Sequence, residues 1–195
     1  MTPMKNTLRQ AFTLIELLIV IAIIGILMAL LFPAVGGGIK MAKKAQAQND
    51  ATQLAIATQA FFTEYGKHAL KWQWNDEDWT FDAGNPNKTL IEILTANGPE
   101  ATNNPRNIVF LEMKAAKKSG TNWVNGVAPD GNFYDPWGTP YFIRIDCNYN
   151  NQVRSPYTDS EIIRKTALAW SAGPDKEHKY NAPDDKANKD NVTSW

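Results

Sequence analysis

Residues 12–66 carry the pattern of one long helix whose polarity changes along its length. From Phe12 to Phe32 the chain is almost wholly apolar, and Glu16 is the one charged residue. A helix of this length spans about 30 Å, the thickness of the hydrocarbon core of a bilayer. Residues 33–66 are rich in Ala, Gln and Lys, which are adequate helix formers. The pattern predicts a membrane-spanning helix that continues into a polar second half.

One face of this second half is predicted to pack on the rest of the chain. Side chains of apolar or amphipathic character recur there at helical spacing, at Leu54, Thr58, Phe61 and Tyr65. Gly66 follows directly and is placed to end the helix.

The remaining chain, residues 67–195, predicts a small sheet. Residues 141–146 alternate as a half-buried strand does, and residues 166–170 read as a second strand. A short helix is predicted at 89–96 from its apolar spacing. The expected fold class is therefore α+β, with a long N-terminal helix packed on a small antiparallel sheet.

Composition limits the possible functions. The chain has 195 residues, and its 20 Lys and Arg balance its 20 Asp and Glu. The chain therefore has no excess of positive charge that would attract a nucleic acid, and we expect no nucleic-acid partner. Cys147 is the one cysteine, which excludes an intramolecular disulfide. The two histidines, His68 and His178, lie at no zinc spacing, and no nucleophile-elbow or phosphate-loop motif occurs, so we expect no enzyme.

Glu16 needs a partner if residues 12–32 lie in a membrane. A carboxylate in a bilayer costs about 2.5–3.5 kcal/mol on insertion scales and usually faces a partner. Cleavage before Phe12 would create an α-amino group four residues away, on the same helix face. Lys5 and Arg9 precede the span and favour a cytoplasmic N-terminus.

The run from Ala11 to Val20, AFTLIELLIV, resembles the N-terminus of the type IV pilin and pseudopilin family. The resemblance implies cleavage between Ala11 and Phe12 by a prepilin peptidase and methylation of the new Phe12 amine. It also implies that Glu16 serves assembly and that the apolar span becomes the core of a filament. The family usually has Gly before the cut, where this chain has Ala11. A conventional signal peptide ending near Ala34 is disfavoured, because the apolar run is long and contains Glu16.

A second stretch of sequence resembles one subgroup of this family. Residues 135–141, DPWGTPY, are similar to a structural turn of the major pseudopilins of type II secretion systems. The implied protein is a homo-oligomeric pseudopilus subunit that works with minor pseudopilins and an inner-membrane assembly platform in protein secretion. Its expected organisation is a cytoplasmic leader at 1–11, a transmembrane helix at 12–32, a periplasmic helix half at 33–66 and a globular domain at 67–195. It would cross the inner membrane once, with its C-terminal domain in the periplasm.

The tail, residues 171–195, is rich in Asp, Asn, Gly and Pro and resembles the calcium-binding loop of these pseudopilins. Calcium takes six to eight oxygen ligands from carboxylates, carbonyls and water. The expected ligands are four carboxylates and one main-chain carbonyl, from Asp175, Asp184, Asp185, Asp190 and Ala172. The alternative is a solvated polar tail without metal.

Two other functions remain open from the sequence. One is a type IV pilus or DNA-uptake pilin, which the single cysteine and the 135–141 stretch disfavour. The other is a membrane-tethered glycan-binding module that uses Trp72, Trp74 and Trp79. A structural aromatic cluster that covers the sheet explains these tryptophans more simply.

Overall fold

The structure of the protein is a computed structural model, and it describes residues 12–69 and 78–195. The chain divides between Ala42 and Lys43 into two compact units. Helix α1 runs Leu14–Tyr65, so the predicted long helix is confirmed. Trp72 and Trp74 of the predicted aromatic cluster lie outside the described residues.

The first unit contains the apolar part of α1. Every residue from Phe12 to Phe32 is exposed, including the large side chains of Leu14, Ile26 and Leu30. Among the described residues, α1 is the one helix whose length and composition suit a membrane crossing, a property that it shares with signal sequences. An apolar helix exposed all round needs a lipid or protein environment.

The part of α1 from Lys43 onward belongs to the second unit and forms one side of its core. Leu54, Thr58 and Phe61 are buried, and the ring of Tyr65 lies 4.6 Å from that of Phe61. The predicted packing face is thus confirmed. At Gly66 the backbone turns to a φ of 64°, and its N–H donates to the Phe62 carbonyl at 2.8 Å. The left-handed conformation, which glycine adopts without steric cost, ends the helix there.

Short strands make up most of the regular structure of residues 78–195. Helix α2 runs Lys88–Leu94, and 3-10 turns cover Pro99–Asn103 and Lys186–Asn188. The strands in this part are β1 (Trp79–Phe81), β2 (Lys117–Ser119), β3 (Asn122–Val124), β4 (Gly126–Val127), β5 (Phe133–Tyr134), β6 (Phe142–Ile145), β7 (Val153–Arg154), β8 (Ile162–Ile163), β9 (Ala167–Ser171) and β10 (Val192–Thr193).

The central sheet is antiparallel, with strand order β1-β6-β9-β10. The two strands predicted from sequence are β6 and β9, and they pair directly, with Phe142 opposite Trp170 and Ile145 opposite Ala167. Pairs of strands also form three small ribbons, β2-β3, β4-β5 and β7-β8. The α+β fold predicted from the sequence is therefore the observed one.

The sheet is covered on both faces. On one face, Ile143 and Ile145 pack with α1 and α2 in the main core. On the other, Leu168 and Trp170 pack with Val153 of β7 in a second core. This explains why all five residues of β9 are buried, since a strand covered on both faces has no solvent side.

Candidate functional site

The first turn of α1 is closed by reciprocal hydrogen bonds between Thr13 and Glu16. The Thr13 N–H and Oγ1 donate to Glu16 Oε2 at 2.8 and 2.7 Å, and the Glu16 N–H donates to Thr13 Oγ1 at 3.3 Å. This is a capping box, in which a Thr before the helix and a Glu three residues later satisfy each other's backbone donors. The carboxylate of Glu16 therefore has donors of its own within the chain.

Sequence reasoning singled out Glu16 and overlooked Thr13. The signal was present, because Thr13-Leu14-Ile15-Glu16 has the spacing of a capping box directly before an apolar run. Phe12 is exposed at the start of the described chain, next to this box, whereas Ala11 lies outside the described residues. Phe12 therefore lies beside the N-terminus of α1.

Comparison with protein families gives a match for the N-terminal segment. A family model described as the prokaryotic N-terminal methylation motif matches residues 6–32. The match supports a type IV pilin-like protein that is processed by a prepilin peptidase, anchored by one membrane span and assembled into filaments. Comparisons with curated proteins and with solved structures gave no match.

The DPWGTPY stretch forms a turn around the buried carboxylate of Asp135. Its Oδ1 accepts from the N–H groups of Trp137, Gly138 and Thr139 at 2.9, 2.7 and 2.9 Å, and its Oδ2 accepts from the Ser171 hydroxyl at 2.5 Å. Burial raises the pKa of Asp135, while these hydrogen bonds act in the opposite direction. The turn is structural, as predicted, and it fixes the end of β9.

The tail starts at that same point with a close backbone crossing. The Gly173 N–H donates to Ser171 Oγ at 3.0 Å, and Gly173 adopts a φ of 76°. A Cβ atom at Gly173 would overlap the main-chain oxygen of Asp190. The two ends of the C-terminal loop, at Gly173 and Asp190, are thus in contact, and the tail is folded onto the sheet through β10.

The predicted metal ligands have different surroundings. The Asp175 N–H donates to Asp190 Oδ2 at 3.2 Å, and Asp190 Oδ1 is buried without a hydrogen-bond partner. Asp185 accepts from the Ala187 N–H and pairs with Lys179 Nζ at 2.9 Å. The hydrogen bond from Lys179 is the largest cause that lowers the pKa of Asp185.

The structure therefore brings Asp175 and Asp190 together and engages Asp185 elsewhere. Asp184 is exposed, and Ala172 is buried beside the crossing. Among the described residues, no three His, Cys, Asp or Glu side chains are grouped as metal ligands. The contact of Asp175 with Asp190 runs through the Asp175 main-chain N–H, whereas the Asp175 carboxylate accepts from the Glu177 N–H at 2.9 Å.

Other reactive groups in the described residues are placed for structure. Burial raises the pKa of Cys147 to about 11, so its thiol stays protonated and is a poor nucleophile. Both ring nitrogens of His68 are buried without hydrogen-bond partners, between the rings of Phe62 and Tyr149. Trp79 lies in β1 and packs against the main core, and the cluster that it would form with the other two tryptophans stays a prediction.

Proposed function

We propose that the protein is a structural subunit of the pseudopilus of a type II secretion system. The observation that carries the proposal is the methylation motif at residues 6–32, which leads into a helix exposed at every residue from Phe12 to Phe32. An all-apolar surface of this kind suits a bilayer before assembly and the packed core of a filament afterwards. The turn at residues 135–141 supports a pseudopilin rather than a pilus subunit, through its resemblance to that group.

Assembly would exchange the partners of Glu16. In the single chain, Thr13 supplies two donors to Glu16 Oε2. Cleavage before Phe12 would add an α-amino group at the same helix end, and the amine of one subunit could pair with Glu16 of its neighbour. Such a pair joins opposite charges in a low-dielectric environment, where Coulomb attraction is strong. The capping box would keep Glu16 hydrogen-bonded in the membrane until that partner arrives.

Processing is tested by co-expression with a prepilin peptidase and mass spectrometry of the mature chain. The expected N-terminus is N-methylated Phe12, and an inactive peptidase should leave residues 1–11 attached. A mature chain that begins at Gly37 would indicate signal peptidase and contradict the filament proposal.

Deletion of the gene in its host should abolish secretion of folded proteins and leave surface pili intact. The opposite result would assign the chain to a pilus.

We further propose that the C-terminal loop binds calcium. Asp175 and Asp190 would hold the ion, with Asp184 and the Ala172 carbonyl as further oxygen donors. The support is the buried, unpartnered Oδ1 of Asp190 beside Asp175. A bound divalent cation would take its oxygen ligands from both ends of the loop and tie these ends together. Asp185 is the weakest of the predicted ligands, since Lys179 already neutralises it.

A further inference from the structure

The side chain of His178 is enclosed by aromatic rings from four parts of the chain. Its ring centroid lies 5.2 Å from that of Phe142 in β6, 5.3 Å from Trp170 in β9, 5.7 Å from Tyr157 and 4.6 Å from Tyr180. His178 belongs to the C-terminal loop, whereas Phe142 and Trp170 belong to the sheet. The imidazole is therefore a point at which the loop is fastened to the sheet.

Hydrogen bonds fix the protonation state of this imidazole. The Asn188 amide is held by the main chain of Lys179. Asn188 Oδ1 accepts from the Lys179 N–H at 3.0 Å, and Asn188 Nδ2 donates to the Lys179 carbonyl at 2.8 Å. These two bonds set the orientation of the Asn188 amide. Asn191 Nδ2 then donates to Asn188 Oδ1 at 3.1 Å and faces His178 Nδ1 at 3.2 Å. Since an amide NH2 can only donate, Nδ1 is the acceptor and the proton of the neutral ring sits on Nε2.

A second proton on this ring would sit on Nδ1. The Nδ1–H would then face the NH2 group of Asn191, donor against donor, inside the cluster of aromatic rings. Loss of one hydrogen bond with a buried polar group left unpaired costs about 1–3 kcal/mol. Protonation therefore opposes the packed arrangement on geometry alone.

The charged groups around the ring reinforce this effect. Arg144 of β6 lies with its guanidinium 5.6 Å from the Tyr180 ring, and Asp82, after β1, accepts from the Tyr180 hydroxyl at 3.4 Å. Burial raises the pKa of Tyr157 to about 12 and also raises the pKa of Tyr180, so both hydroxyls stay neutral. On the loop itself, Glu177 is exposed and Lys179 is paired with Asp185.

The balance of these groups disfavours the imidazolium. Burial, with a smaller effect from Arg144, lowers the pKa of His178 to about 4, although Asp82 and a hydrogen bond with Asn188 act in the opposite direction. In an opened loop the ring would return to its ordinary pKa, near 6.5.

We propose that His178 is an acid-sensitive latch that fastens residues 172–191 to the sheet at neutral pH and releases them when the imidazole is protonated. The latch contributes its full stability above about pH 6.5, because the ring is then neutral in both the closed and the opened loop. Its contribution is lost as the pH falls from there towards 4, because the opened loop binds the proton first.

Hydrogen exchange of the full chain in detergent micelles tests the latch. We expect the opening of residues 172–191 to increase about tenfold between about pH 7 and about pH 5.5, after correction for the intrinsic pH dependence of exchange. Strand β6 should show no change over this interval. A chelator is present throughout, so that binding of calcium does not contribute and the result is independent of the proposed metal site.

Two variants test whether His178 causes the pH-dependent opening of residues 172–191. His178→Phe keeps an aromatic ring that cannot take a proton, so the tenfold ratio should fall to about one. His68→Phe removes the other histidine of the chain, which packs between Phe62 and Tyr149, and should leave the ratio unchanged. Equal opening of the wild-type loop at both pH values, or an unchanged tenfold ratio in His178→Phe, would overturn the latch.

A second measurement avoids dependence on the variant. Imidazole NMR of the wild-type chain should show one histidine, His178, titrating far below the ordinary value, with the neutral proton on Nε2. If His178→Phe fails to fold, this titration decides the question. A His178 ring that titrates near 6.5 in the folded protein would rule the latch out.

Discussion

Asp135 and Ser171, 36 residues apart, are joined by a hydrogen bond of 2.5 Å inside the core. The Ser171 hydroxyl donates it to Asp135 Oδ2, while the same oxygen of Ser171 accepts from the Gly173 N–H. One contact thus connects the turn before β6, the end of β9 and the start of the C-terminal loop. The carboxylate of Asp135 is the centre of this arrangement and is completely buried.

Removal of this carboxylate should destabilise the globular domain strongly. Asp135→Ala leaves the N–H groups of Trp137, Gly138 and Thr139 without their acceptor, and we expect a loss of about 3 kcal/mol or more in the free energy of unfolding. Asp135→Asn should cost far less, because its oxygen can accept the same bonds and its NH2 can donate to Ser171. Denaturant titration of the full chain in micelles measures both. Equal losses for the two variants would contradict the role of the acceptor oxygen.

Gly173 should tolerate no side chain. Gly173→Ala places a Cβ against the main chain of Asp190 at a φ of 76°, and we expect a cost of about 2–4 kcal/mol. Gly120→Ala is the matched control, since Gly120 has a φ of 62° and open space around its Cα. Its cost should be about 1 kcal/mol, from backbone strain alone. Similar melting temperatures for the two variants would show that the crossing is looser than described.

Glu16→Ala should leave membrane insertion intact and abolish filament assembly. Insertion loses no favourable contribution, because the substitution removes a charge from the apolar span. Assembly loses the carboxylate proposed to receive the neighbour's Phe12 amine. Blots of membrane and sheared fractions would show normal membrane amounts and no fibres.

Thr13→Val separates the charge of Glu16 from its hydrogen bonds. This variant removes the Oγ1 bonds of the capping box and keeps the carboxylate, so the helix end should lose about 1 kcal/mol. Some assembly should survive in Thr13→Val and none in Glu16→Ala. Fibres from Glu16→Ala at wild-type levels would refute the proposed pairing with the amine.

Calcium should raise the thermal stability of the full chain in micelles relative to chelator. Binding to the folded state alone contributes about 2.7 kcal/mol at a hundredfold excess over Kd. Asp190→Asn and Asp175→Asn should each reduce the difference in melting temperature. Asp185→Asn serves as the control, because its carboxylate is paired with Lys179, and it should keep most of the difference. Identical melting of the wild-type chain in both conditions would show that this loop binds no calcium.

The elements that sequence predicted well are those whose signal is local. Helix α1 was visible in its apolar run, its packing face and its terminal Gly66, because helical spacing and a left-handed glycine are properties of neighbouring residues. Strands β6 and β9 were visible to within a residue or two of their ends, since β6 alternates and β9 is a short apolar run. The methylation motif is likewise a contiguous stretch.

The features that sequence missed depend on residues far apart in the chain. Strand β10 lies in a polar tail without periodicity, and it forms because Val192 pairs with Ser171 at the edge of the sheet. Asp185 is paired with Lys179, whereas Asp190 keeps an oxygen without a hydrogen-bond partner, and this difference depends on which groups the folded loop brings near each of them. A row of aspartates alone predicts all of them equally as ligands.

The sequence by itself determined the N-terminal segment, because a span of about 30 Å of apolar helix with one carboxylate is constrained by the membrane and needs no tertiary contact. Only the tertiary structure decided how the tail is held. The bond between Asp135 and Ser171 and the ring cluster around His178 join segments that are distant in sequence. Their stability comes from burial and from hydrogen bonds that become favourable once water is excluded, which no local pattern records.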